Sequence, residues 1–162
     1  MSDLAETTDI AQEAPENESY EKFLIFSIQG KLYSFPSHLI SEIAHFDKVF
    51  PLPLMPPYAL GIVNRYSTPY ALFDTGLLFN KTPSLRKKML LFKEEIDRVA
   101  FLIDDVTNIA GINPENIISI DRTSDTRELT DAVEASFDWN NNNVFVLNIH
   151  HILDRITGET VL

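Results

Sequence analysis

Four histidines, His38, His45, His150 and His151, are the first side chains to weigh as metal ligands or proton carriers. None stands in an HExxH pattern. Adjacent histidines on a helix project about 100° apart, so His150 and His151 are poor co-ligands and are predicted to face solvent. Asp104-Asp105 resembles a carboxylate pair, but neighbours on a strand leave opposite faces and cannot share one site. Asp74 and Asn148, each closing an apolar run, read as turn or cap residues. Glu94-Glu95 flanks a turn. The five glycines are isolated, which gives no phosphate-cradling loop. Without cysteine there is no thiol nucleophile, thiolate metal site or disulfide framework. These types and spacings point to no catalytic residues, no metal and no cofactor. What is left to carry function is surface.

The elements that shape that surface are short and apolar. The chain has 162 residues, 44% of them hydrophobic, with eleven Phe and five Tyr, a composition that suits β structure. Its formal net charge is −11; residues 1–19 hold six acids and no Lys or Arg and are expected to be a disordered acidic tail. The remainder, 18 acids against 13 bases, is a poor electrostatic match for nucleic acid or an anionic membrane. The N-terminus reads as no signal peptide, and no apolar run reaches the ~20 residues that span a bilayer.

The stretch Leu54–Asp74 is the centre of the pattern: Met55-Pro56-Pro57 fixes an extended approach, and two apolar runs flank Asn64-Arg65-Tyr66-Ser67 as a hairpin. Before it, Phe23–Ile28 and Leu32–Phe35 form a second hairpin. Ser37 is predicted to cap a helical segment in which Leu39, Ile40 and Ile43 share a face. After it come an amphipathic piece at Leu77–Phe79 and a polar connector from Asn80 to Lys88, the best internal boundary. Asp121–Asn143 is an insertion with a possible short helix at Ser124–Ala135 and a turn at Asn140–Asn143. Asn148 is placed to cap a final helix, about 149–156, ended by Gly158.

The two halves repeat. A shift of 66 residues lays Leu24-Ile25-Phe26 on Leu90-Leu91-Phe92, Phe35 on Phe101, Ile40 on Val106 and Ile43 on Ile109. A shift of 74 lays Leu72-Phe73-Asp74 on Val146-Leu147-Asn148. Two copies of one supersecondary unit, built from short strands, argue for an all-β fold of two small barrels packed side by side with short helical segments and a C-terminal helix. The expected layout is a tail at 1–19 and one domain at 20–158, with barrels near 22–80 and 88–147. Ile40, Glu42, Ile43, Val106 and Ile109 would then line a groove between the barrels, fit for a partner helix, unless they are simply core.

The chain resembles the CheW-like family, the coupling adaptors of bacterial chemosensory arrays, over about residues 22–155. The likeness is carried by FLIFSIQGKLYSFPSHLISEI, PPYALGIVNRYSTPYALFD, MLLFKEEIDRVAFLIDDVTNIAGINPENI and VFVLNIHHIL. Within them stand Ile40-Ser41-Glu42-Ile43, Gly61-Ile62-Val63-Asn64 and Ile103-Asp104-Asp105-Val106. The resemblance implies two SH3-like barrels, no enzymatic activity and no cofactor, in a cytoplasmic adaptor recruited to receptor arrays. The implied partners are the regulatory domain of a chemotaxis histidine kinase and the helical hairpin at a chemoreceptor's cytoplasmic tip. It places Ile40, Glu42, Ile43, Gly61, Asn64, Arg65 and Tyr66 at the receptor groove, and Ile103, Asp104 and Val106 towards the kinase. The family's Leu-Arg-Gly turn is replaced by Arg65-Tyr66-Ser67, which suggests an altered turn, with Arg65 pointing to the other side. A diverged member is expected; the alternatives are an adaptor of a type IV pilus chemosensory system and a ligand- or peptide-binding barrel that has lost array function.

Overall fold

The computed structural model describes residues 19–80, 82–120 and 132–160. The expectation for the acidic tail therefore falls outside the described residues, apart from Ser19. So does most of the helix anticipated at 124–135.

Among the described residues, eleven strands make two sheets. In chain order they are β1 (Glu21–Ile28), β2 (Lys31–Pro36), β3 (Ile40–His45), β4 (Ala59–Arg65), β5 (Thr68–Asp74), β6 (Lys88–Phe92), β7 (Val99–Ile103), β8 (Asp105–Ile112), β9 (Ile118–Ser119), β10 (Val133–Trp139) and β11 (Asn142–Leu147). Helix α1 (Thr75–Asn80) follows β5, and α2 (Ile149–Thr160) follows β11. One sheet runs β8-β1-β2-β11-β10-β9 and the other β3-β6-β7-β5-β4. The mostly β fold in two sheets with short helices agrees with the sequence reading.

The halves trade strands. Each sheet takes its central hairpin, β1-β2 or β6-β7, from one half and its flanking strands from the other. The expected layout of one barrel in 22–80 and another in 88–147 is thus corrected. A repeat fixes which strands are equivalent but not which copy each pairs with, and here the pairing is reciprocal. The connector 80–88 consequently marks no boundary between lobes.

The equivalence itself is detailed. Leu24 pairs with Phe35 in β1-β2, and Leu90 with Phe101 in β6-β7. Ile109 faces Leu24, and Ile43 faces Leu90. A bulge interrupts β8-β1 and another interrupts β3-β6, each at the same place in its repeat. The β4-β5 and β10-β11 hairpins are bulged at Ala59/Gly61 and Val133/Ala135, again in matched positions.

Each sheet buries both faces, which is why β1, β6 and β7 read as near-continuous apolar runs. One face covers a private cluster: Phe23, Ile25, Phe137 and Val146 in one lobe, Val63, Leu72, Leu91 and Leu102 in the other. The remaining faces meet in a shared core that contains Leu24, Phe26, Phe35, Leu90, Phe92 and Phe101. Phe35 packs edge-on against Phe92 with centroids 4.9 Å apart, and Phe26–Phe35 and Phe92–Phe101 each sit at 5.5 Å.

Three local expectations change. Residues 37–39 form a single 3₁₀ turn without a side-chain cap from Ser37, and 40–45 are strand β3. The bulge at Ser41 inserts one residue, which turns a period-2 pattern into the i, i+3 spacing that looked helical. Residues 133–135 open strand β10, and α2 continues past Gly158 to Thr160. Asn148 does cap α2, accepting from the His151 N–H at 3.0 Å.

Candidate functional site

Strand β3 is an edge of one sheet and β8 an edge of the other. They approach each other at a shallow groove of about 190 Å³, lined by Leu24, Ser37, Ile40, Ser41, Glu42, Ile43 and Ile109. The bulge decides which side chains reach it. Ala44 packs into its lobe's private cluster, and Ile43, the next along the pleat, faces outward at 38% exposure. Its repeat counterpart Ile109 is 52% exposed. Ile40 and Val106 are half-buried against the shared core, and of the two Ile40 lines the groove. Ser41, displaced by the bulge, donates its hydroxyl to the Leu91 carbonyl at 3.1 Å.

Glu42 and Arg65 close one end. Arg65 shares a face with buried Val63, and Glu42 with buried Ala44, so both side chains sit over the rim of that lobe. They form a two-pronged ion pair that ties β3 to β4. Hydrogen bonding to Glu42 keeps the Arg65 guanidinium above its ordinary pKa, so it stays a cation throughout the accessible range. The same guanidinium lies 4.9 Å over the Tyr66 ring.

The hairpin turn is tight, two residues between the paired Arg65 and Thr68. Tyr66 and Ser67 take φ of +52° and +68°, a two-residue turn of mirror-image type built without glycine. Tyr66 stands 82% exposed at its tip, and Asn64 beside it is exposed. Arg65 points back to Glu42 and is not presented beside Tyr66 as a free cation.

Gly61 does not belong to the surface. It is buried at the β4 bulge with φ +139°, and a Cβ there would lie 2.2 Å from the Phe50 carbonyl oxygen. Its role is to let the Phe50 segment pair with Ile62 through two 2.8 Å backbone bonds. Ile103 and Asp104 are likewise buried, so neither offers a side chain to a partner. The Asp104 carboxylate accepts from the Gln29 N–H at 2.7 Å and the Leu85 N–H at 2.6 Å. Asp105, on the opposite face as expected, pairs with Lys88 at 3.2 Å. That hydrogen bond, with a second from the Val106 N–H, holds its carboxyl below the usual aspartate range.

The structure thus gathers Ile40, Glu42 and Ile43 with Ile109 at the groove; Arg65 is tied to it only through Glu42, and Asn64 and Tyr66 lie along the β4–β5 hairpin outside its lining. Sequence reasoning missed the Glu42–Arg65 pair, because residues 23 apart meet only through the fold. Among the described residues, no group of three or more His, Asp or Glu side chains could hold a metal ion, and no helix is long and apolar enough to cross a membrane.

A family model described as CheW-like domain matches residues 22–157. The chain belongs to the CheW-like family. It is accordingly a scaffold or adaptor of chemosensory signalling, in a family that is not enzymatic. Among solved structures, the scaffolding protein TtCheW from Thermoanaerobacter tengcongensis superposes with a TM-score of 0.77 at 17% sequence identity, over 89% of this chain and 99% of that one. At that identity the likeness shows the fold. A search of curated proteins finds no match.

Proposed function

We propose that this chain couples the regulatory domain of a chemosensory histidine kinase to the helical hairpin at a receptor's cytoplasmic tip, on the cytoplasmic side of a receptor array. The observation that carries the reading is the paired exposure of Ile43 and Ile109 on two edge strands facing one groove. Two isoleucines left outside three separate apolar clusters are anchors awaiting a surface, and amphipathic helices dock through such anchors. Ile40 and Val106 would form the walls. Glu42, satisfied by Arg65, would form a polar edge with little net charge. Tyr66 would reach beyond the groove to an array neighbour.

Binding of this kind gains affinity from apolar burial and not from charge attraction, so it should persist at high salt. A three-component sedimentation assay tests the reading. Receptor tips displayed on vesicles should bring down the kinase only when this chain is added. Kinase that sediments equally without it, or that stays in solution with it, would remove the coupling role.

A further inference from the structure

We infer that this chain pairs with a second copy of itself by exchanging halves, residues 19–80 of one copy seating against 88–160 of the other, so that each groove of the dimer is built from two chains. The surface that allows this lies inside the molecule. Among the described residues, four strand pairings cross between the halves: β8 with β1, β11 with β2, β6 with β3 and β7 with β5. Within itself the first half keeps the hairpins β1-β2 and β4-β5. The second keeps β6-β7 and β10-β11, with short β9 beside β10. Isolated hairpins are marginal in water.

The apolar clusters are divided in the same way. One private cluster joins Phe23 and Ile25 of the first half to Phe137 and Val146 of the second. The other joins Val63 and Leu72 to Leu91 and Leu102. The shared core joins Leu24 and Phe35 to Leu90 and Phe101. Neither half holds a core of its own, so each bares apolar surface until the other covers it. A second copy offers the same covering half, residue for residue. The strand pairings and burial are those of the closed monomer, and the two forms differ in the connector path and the entropy of association. Concentration therefore sets the balance.

The connector favours the closed form, because it is bonded alternately to the two halves. Thr82 accepts from the Gln29 side chain at 3.1 Å, and the Ser84 N–H donates to Asp74 at 3.0 Å, both in the first half. The Leu85 N–H donates to Asp104 at 2.6 Å and the Lys87 N–H to the Ile103 carbonyl at 3.3 Å, both in the second. Between these, Arg86 takes a φ of +58° and returns to Asp74 through Nε at 2.8 Å. In an exchanged dimer the connector leaves one body for the other. Ser84 and Leu85, adjacent in the chain, then cannot both keep their carboxylates. Ile43 lies in the first half and Ile109 in the second, so each groove of the dimer takes one isoleucine from each copy. The dimer carries two complete grooves on one tether and would grip paired helical partners with both. That use rests on the proposed function; the exchange does not.

The chain has no cysteine, so an introduced disulfide across a crossing pair reports the exchange directly. Lys22 on β1 and Gly111 on β8 are exposed partners, and a Cβ at Gly111 comes no nearer to the Tyr20 side chain than 3.6 Å. Full-length chains carrying Lys22→Cys and chains carrying Gly111→Cys are unfolded together, refolded at high concentration and oxidised. A disulfide joining one chain of each kind should form, outnumber links between like chains, and run with the dimer in light scattering. Asp104→Asn in both chains should raise its yield by about tenfold, since the closed form loses a hydrogen bond to a charged acceptor. Like and mixed links in equal amounts, the same yield from chains mixed without unfolding, or monomer alone at every concentration would overturn the exchange. A yield unmoved by Asp104→Asn would overturn the part given to the connector. Exchange in a protein that binds no receptor-tip hairpin would remove the coupling reading and leave the exchange standing.

Discussion

The two lobes are copies that differ at a few matched positions. Registers, bulges and clusters coincide, yet Gly61 corresponds to Ala135, the turn Tyr66-Ser67 to Asn140-Asn141, and Asp74 to Asn148. At the lobe rims, openings of about 410 Å³ and 590 Å³ occupy corresponding places. One is flanked by the Glu42–Arg65 pair, whose counterparts are Asn108 and Trp139. The lobe of β3 to β7 has the tightly constrained and strained positions; its twin has the residues a relaxed version would use. Asn140 and Asn141 take φ of +52° and +64°, nearly the values of Tyr66 and Ser67, with a residue type that tolerates them. Strain kept at an exposed aromatic tip, where a relaxed solution exists in the same molecule, is the basis for testing Tyr66 as a contact residue.

The comparison can be broken most forcefully at the bulge. Gly61→Ala should destabilise by about 4 kcal/mol, since the new methyl meets the Phe50 backbone and not a movable side chain. Ala135→Gly should cost about 1 kcal/mol or less. Denaturant midpoints measure both, and equal effects would mean that the bulges are not differently packed. Next is the pair of strand-end caps. Asp74 is fully buried and accepts from Leu77, Ser84 and Arg86, so Asp74→Ala should cost about 3 kcal/mol by leaving two backbone donors unmet. Asn148→Ala should cost about 1 kcal/mol, an ordinary helix cap.

Replacing Tyr66-Ser67 by Asn-Gly should raise stability by about 1 kcal/mol while weakening the partner seen by the turn. Placing Tyr-Ser at 140–141 should lower stability by a similar amount and touch no partner. A gain in stability with undiminished binding would make Tyr66 dispensable. The smallest effect concerns the link between lobes. Lys88 and the Val106 N–H lower the Asp105 pKa, so their contribution is present above the ordinary aspartate value of about 4 and is lost as pH falls through the lowered one. Melting curves between pH 2 and 5 should show a slightly shallower acid slope for Asp105→Asn. An identical slope would make the pair irrelevant to stability.

How far the sequence reaches is visible in the same positions. The shifts of 66 and 74 named equivalent residues that the registers then matched, because apolar alternation records which face each side chain takes. Alternation carries no label for the partner strand, so the exchange between halves was out of reach. The bulge at Ser41 hid a strand behind helical spacing. Ile40, Glu42, Ile43 and Ile109 could be nominated together because the repeat superposes them. Gly61, Ile103 and Asp104 were misjudged as surface because burial at a strand junction depends on what crosses above, here the Phe50 segment and the 82–87 connector.

The groove between the lobes is the claim on which the rest depends, and one titration reaches it directly. A labelled receptor-tip hairpin is titrated with wild type, Ile43→Asp and Ile109→Asp, with melting temperatures recorded alongside. The two isoleucines are repeat counterparts on facing strands, so each substitution should cost at least about tenfold in affinity with no loss of folding. Wild-type affinity in both variants, or variants that fail to fold because the isoleucines belong to the core, would contradict it.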